Sequence, residues 1–327
     1  MILPATFPVA LAMMLATMVC WGSWTNTSRL APRWRIEFYH CDFTIGVFLV
    51  GGLAVLTGGM LFRSPDFLDN LRSADGVAVA CAAIGGASLC LGDFLLMAGI
   101  ARVGMTVAFP VSVGFALVVS TVLSYLIRPL GDAVLLGGGV ALVFCAVLTN
   151  SLAYRSTGAA RQADAPRGGL AMCFAAGVLF SMSGALVAKA LAPLRPVSPY
   201  GAALLYASGC LAAVVPLMLF VTRRPIGGVP LVWKQYRAGS AREHAAGFLG
   251  GTIWGAGMVF NFLSAGLAGM AVAGAVAQAN PLVAAIWGIF VWKEFRGASG
   301  RTLALLALMI ALYTAGLVLL GFSFRAA

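Results

Sequence analysis

Charge is what this sequence lacks most. Of 327 residues only 9% are charged, with 21 Lys and Arg, 10 Asp and Glu, and two His. Against that scarcity stand 61% hydrophobic residues and a mean hydropathy of +0.98. A water-soluble domain cannot cover its surface with so little charge, so the chain is expected to be an all-α polytopic membrane protein. The formal net charge of +11 does not point to nucleic acid. The basic residues lie singly or in small groups between apolar runs, which suits lipid headgroups and not a nucleic-acid stripe. Paired cysteine motifs are also missing. Seven cysteines occur, but none forms a CxxC or a Cys/His cluster, so neither a disulfide framework nor a metal site is implied. Clustered acids, deep histidines and a nucleophile set are absent as well, which argues against an enzyme and against a bound cofactor. No basic residue precedes the first apolar run, so it lacks the n-region of a signal peptide and is expected to be retained.

What is there is a succession of apolar runs. A helix needs about 20 apolar residues to cross a bilayer, and ten runs qualify: 4–28, 40–62, 76–101, 104–127, 132–154, 168–190, 199–222, 245–266, 269–292 and 301–323. The connections leave no room for a soluble domain. Fifteen Lys and Arg fall after odd-numbered runs, among them Arg29, Arg33, Arg35, Lys234, Arg237, Lys293 and Arg296, and only six fall on the other side. The positive-inside rule then puts the odd connections in the cytoplasm and both termini outside, in a plasma membrane (a bacterial inner membrane).

A shift of 165 residues lays Gly85 and Gly86 on Gly250 and Gly251, Gly104 and Met105 on Gly269 and Met270, and Leu117 and Val118 on Leu282 and Val283. Five helices followed by five enter the membrane from opposite sides. The expected architecture is therefore a 5+5 inverted repeat, with 1–154 as the first half, 155–167 as a short cytoplasmic loop and 168–327 as the second half. Such repeats house a solute site near the midplane between the halves. Gly85, Gly92 and Gly99, and likewise Gly247, Gly251 and Gly255, form smooth stripes that read first as close helix seams.

Polar groups at depth are expensive and mark pathways by default. Asp93 is the one carboxylate well inside an expected span, and a carboxylate that can be neutral there is a candidate proton carrier. Trp21 suits stacking on a planar ligand; Trp24, nearer the interface, reads equally as a belt residue. Asn26, Asn261, Gln278, Asn280 and Trp287 complete the candidate solute-binding set. Gln278 and Asn280 flank the turn before Pro281, so their amides have an equal alternative in backbone groups that the proline frees. Ser181, Ser183 and Tyr206 read as glue between helices. Asp42 and Glu294 sit at cytoplasmic ends as surface ion pairs or as a gate, and His40 and His244 are expected outside the spans, solvated.

Four stretches carry a family resemblance: Trp21-Gly22-Ser23-Trp24; Tyr39-His40-Cys41-Asp42-Phe43; Leu91-Gly92-Asp93 with Gly104-Met105-Thr106-Val107; and Gln278-Ala279-Asn280-Pro281-Leu282-Val283 running through Ile286-Trp287-Gly288-Ile289 to Glu294-Phe295-Arg296. They resemble the ureide permease family within the drug/metabolite transporter superfamily, related to the rhamnose transporter branch. The resemblance implies proton-coupled uptake of oxo-derivatives of nitrogen heterocycles, such as allantoin and uracil, driven by a proton or sodium gradient. Plant members carry a long cytoplasmic loop with a Walker-A-like element, absent from residues 155–167, so no nucleotide binding is implied. Plant forms often have an amide where this chain has Asp93. Sugar or nucleoside uptake and drug or metabolite export are the alternative readings. The expected partners are a small-molecule solute and the lipid bilayer, and the chain is expected to be a monomer or homodimer.

Overall fold

The computed structural model describes residues 3–60, 66–156, 167–192, 195–225, 230–293 and 295–325. Among these residues there is no strand, and nine helical stretches are long and apolar enough to cross a membrane. In chain order the helices are α1 (Phe7–Leu30), α2 (Ile36–Gly59), the short α3 (Asp66–Ser73), α4 (Gly76–Ile100), α5 (Val107–Ile127), α6 (Ala133–Ala153), α7 (Gly168–Ala190), α8 (Pro199–Arg223), the short α9 (Trp233–Arg237), α10 (Ala241–Val291) and α11 (Gly300–Ser323). Their bounds follow the apolar runs within a few residues. The count differs from ten because the runs 245–266 and 269–292 are joined in the 51 residues of α10. Most of the expected loop 155–167 lies outside the described residues.

Large apolar side chains point outward along the spans, as at Leu53, Leu126, Val134 and Phe290. In water such a surface would aggregate; in lipid it is neutral, and helix association then rests on close packing. Glycine supplies that packing. Gly85, Gly92 and Gly99 of α4 all abut α7, at Val187, Phe180 and Cys173, while Gly247, Gly251 and Gly255 of α10 abut α2 at Tyr39, Phe43 and Val47. Both stripes are helix seams.

The seams recur in pairs. A methyl at Gly86 would fall on the carbonyl of Tyr206, and one at Gly209 on that of Ala83; a methyl at Gly251 would fall on the carbonyl of Phe43, and one at Gly46 on that of Phe248. Thus α4 meets α8 much as α10 meets α2. Likewise α4 packs on α7 as α10 packs on α1, and α6 pairs with α11. Backbone geometry repeats as well. Gly104 has φ 75 and ψ 161, and Gly269 has φ 78 and ψ 152, a region that glycine alone enters readily.

Connections gather on two faces. Residues 24–35, α9, the start of α10 and Trp292 meet on one, here the basic face: Arg29 lies 4.4 Å above the Trp292 ring, and Trp34 packs on Tyr236 and His244. On the opposite face Arg128 reaches the Gly266 carbonyl at 3.4 Å, Asn70 bonds residues 196 and 198, and the Asp132 amide donates to the Ser323 carbonyl at 2.9 Å. Leu3 and Pro4 line a cavity there with Arg128, Ser198 and Leu267. The described N-terminal and C-terminal ends therefore both lie by residues 128–132.

Candidate functional site

The core of the molecule holds a column of rings. Trp21 of α1 stacks on Trp254 of α10, centroids 5.3 Å apart and planes within 10°. Tyr206 of α8 continues the column at 6.4 Å and 13°, with Phe262 edge-on to Tyr206 at 5.3 Å. Trp21 is fixed by its indole N–H, which donates to the Trp254 carbonyl at 3.2 Å, and one turn earlier the Thr17 hydroxyl donates to the Gly257 carbonyl at 3.0 Å. Ser183 and Tyr206 share a 2.8 Å hydroxyl bond, which is the expected glue between helices. Ser181 bonds only within its own helix, to Gly177.

Asp93 of α4 lies beside this column, near Cys90, Tyr206 and Cys210. Its Oδ2 is buried and has no hydrogen-bond partner among the described residues. Asn261 is fully buried. Its Nδ2 donates to the Ala273 carbonyl at 3.0 Å, tying the two limbs of α10 across Gly269, while its Oδ1 is left unpartnered.

The first and last thirds of the candidate set meet along the α1–α10 seam. A methyl at Gly22 would fall on the Asn280 carbonyl and on Val283, so α1 runs directly against the turn before Pro281. Trp287 donates to Ser23 Oγ at 2.9 Å. It opens a π-helical turn, Trp287–Val291, an irregularity common at functional sites. Trp292 donates to Asn26 Oδ1 at 2.6 Å, and Asn26 Nδ2 donates to the Ser23 carbonyl at 2.9 Å. Asn280 Nδ2 donates at 3.1 Å to the Ala277 carbonyl. That acceptor is the one Pro281 cannot serve, so the backbone-satisfying alternative holds for this amide. Gln278 differs: its half-buried side chain makes no hydrogen bond among the described residues. The structure thus brings Trp21, Asn26, Asn280 and Trp287 to one seam, with Gln278 at its turn. Asp93 lies on α4, and Asn261 lies on α10 next to Phe262 of the ring column.

Several expectations need correction. His40 is not solvated; it is buried, 3.4 Å by its Nε2 from Cys90 Sγ, because α2 begins at Ile36, four residues before the expected run. His244 is half-exposed but held by Asp42, and Asp42 is not a surface ion pair. Asp42 is 4% exposed and accepts from Trp34 Nε1 at 3.0 Å, Tyr236 Oη at 2.6 Å and His244 Nδ1 at 3.0 Å. Burial and the Asp42 carboxylate push the Tyr236 phenol well above its ordinary pKa, so it stays a donor. Glu294, expected with Asp42, lies outside the described residues. Trp24 packs on Phe43 at 4.8 Å.

Sequence reasoning missed Trp254, Tyr236 and Asn70. Trp254 had a signal, since an indole in mid-span, away from both interfaces, is unusual. Tyr236 and Asn70 had none. None of the seven candidate solute residues lines the cavity of about 300 Å³ near Arg128.

Helices of this number and lipid-facing surface, with unpartnered polar groups at their centre, define a multi-pass membrane protein with a candidate solute path. The family model described as Ureide permease matches residues 39–168 and 168–323, and the chain belongs to the ureide permease family. It is 24% identical to Ureide permease 4 and to Ureide permease 1 of Arabidopsis thaliana, over 95% of this chain and 96% of each relative. The first alignment runs over 387 positions, more than this chain has residues, so that relative carries insertions. The fold is similar to a protein of known crystal structure at a TM-score of 0.62 and 17% identity, covering 97% of this chain and 99% of that one.

Proposed function

We propose that this permease imports a small, planar, uncharged solute of the ureide or nucleobase class, such as allantoin or uracil. Uptake is coupled to protons and proceeds by alternating access between two inverted five-helix halves. The family match on both sides of residue 168 carries the substrate class. The chemistry of the core fits it: Asp93 Oδ2 and Asn261 Oδ1 are free acceptors, Gln278 offers an unengaged amide, and the indoles of Trp21 and Trp287 lie on the same seam. A ureide carries N–H and C=O groups in one plane, which is what such a set recognises. Asp93 takes the proton: it is the deep carboxylate, and one of its oxygens is uncommitted.

The inverted repeat is supported by the matched dihedrals of Gly104 and Gly269 and by the two reciprocal carbonyl–glycine contacts. Ten crossings are supported by length and parity. As one rod, α10 would be about 75 Å long, more than twice the ~30 Å hydrocarbon core, and Gly269 breaks it beside Leu130 of the opposite face. Two crossings by α10 make the total even, in keeping with both ends lying by residues 128–132. This architecture places the chain in the drug/metabolite transporter superfamily, in a plasma membrane with the basic face in the cytoplasm.

The test is uptake of radiolabelled allantoin, uracil and rhamnose by proteoliposomes, with and without an inward proton gradient. Gradient-driven accumulation of allantoin or uracil is expected, and Asp93→Asn should reduce it about ten-fold or more while sparing exchange. Accumulation of rhamnose alone would replace the substrate class, and undiminished accumulation by Asp93→Asn would remove that residue from coupling.

A further inference from the structure

Two loop clasps close this molecule, one on each face. On the basic face, Asp42 at the start of α2 draws in Trp34 from the α1–α2 connection, Tyr236 from α9 and His244 from the start of α10. The imidazole also reaches the Tyr236 carbonyl through Nε2 at 3.0 Å. Trp34, Tyr236 and His244 pack ring against ring at 4.8 to 6.0 Å, and Gly239 fits beneath them where a methyl would strike Trp34 and His244. On the opposite face, Asn70 of α3 clasps the α7–α8 connection: Nδ2 donates to the Pro196 carbonyl at 3.0 Å and Oδ1 accepts from the Ser198 amide at 2.7 Å. The Asp75 amide adds a bond to the Arg195 carbonyl at 3.1 Å.

The two clasps are the same device in the two halves. The first joins the connection after the first span to the short helix after the seventh. The second joins the connection after the sixth span to the short helix after the second. Exchanging the halves exchanges the clasps. Each ties a loop of one half to a loop of the other, which is where two rocking halves must part. Their chemistry differs: the first is a buried carboxylate with three donors, the second a neutral amide on backbone groups.

We infer that the Asp42–Tyr236–His244 cluster and Asn70 are the latches of the two faces, so that removing one opens its own face and tightens the other. The inference rests on the alternating-access reading, and it is tested without substrate. A Gln278→Cys reporter in a protein whose native cysteines are replaced by alanine is exposed to a membrane-impermeant thiol reagent, in right-side-out and in inside-out vesicles. Asn70→Ala raises labelling from the face of α3 about ten-fold and lowers it from the other; Asp42→Asn and His244→Gln do the reverse. Ten-fold corresponds to the loss of one or two hydrogen bonds. Hydrogen exchange on the protein with its native cysteines is the second measurement. In Asn70→Ala, peptides spanning 231–246 should exchange more slowly than in wild type, an effect that misfolding cannot produce. Labelling that rises equally from both faces, or clasps whose exchange rates change independently, overturns the inference. A side-specific response in a protein that transports no ureide would leave the latches standing and remove only the substrate class.

Discussion

Two amides two positions from each other do different work. Gln278 and Asn280 are interchangeable in a reading of the sequence, since both flank the turn before Pro281. In the structure Asn280 serves the Ala277 carbonyl, whereas the Gln278 side chain is unengaged. The two substitutions should therefore separate. Gln278→Ala raises the half-saturation for solute about 2- to 10-fold, the worth of one hydrogen bond, with little change in thermal stability. Asn280→Ala lowers the unfolding temperature in detergent and moves half-saturation less. Uptake kinetics and thermal unfolding of both variants check this, and equal effects on half-saturation would put both amides on the solute. The candidate residues were legible as types at a depth, because polar groups in an apolar run stand out. Which of them are engaged was not, since Asn26 and Asn280 are told apart from Gln278 only by the neighbours that meet them.

At the scale of the element, the helices were legible to within a few residues, because hydropathy is a local property and each span needs its own apolar length. The glycine stripes were legible too, and both proved to be seams. Gly251 shows how tight they are: its Cα faces the Phe43 carbonyl with no space for a side chain. Gly251→Val should cost about 1–3 kcal/mol through overpacking, read as a lower unfolding temperature of the purified protein. Gly52, with nothing within 4 Å of a methyl, should accept alanine without such a loss. A Gly251→Val protein as stable as wild type would show that α2 and α10 are not held at this distance. The first turn of α2 lies ahead of the expected run at 40–62 because it carries Glu37, and His40 opens that run. Burial beside Arg35, which holds Glu37 at 3.0 Å, and contact with Cys90 make them tolerable.

For the whole molecule, the placement of both ends by residues 128–132 makes a prediction independent of any substrate. Reporter domains fused separately to the N-terminus and the C-terminus should report the same side of the membrane, the side away from Lys234 and Arg237. Opposite sides would mean that α10 does not cross twice. The 165-residue shift points to this symmetry in sequence, but small-residue matches alone carry little information. Gly104 and Gly269, which that shift superposes, share their backbone dihedrals, in line with the proposed symmetry.

The sequence by itself determined that the chain lives in a membrane, roughly where each span begins and ends, which face is basic, and which helices carry small-residue seams. All of these depend on composition within windows of a single helix. Tertiary structure alone decided that Trp254 completes a ring column with Trp21 and Tyr206, that Asp42 is a buried hub, that Asn70 fastens the other face, and which polar atoms are left free. Those partners lie far apart along the chain, and a residue shows no local trace of what packing at a distance will bring beside it.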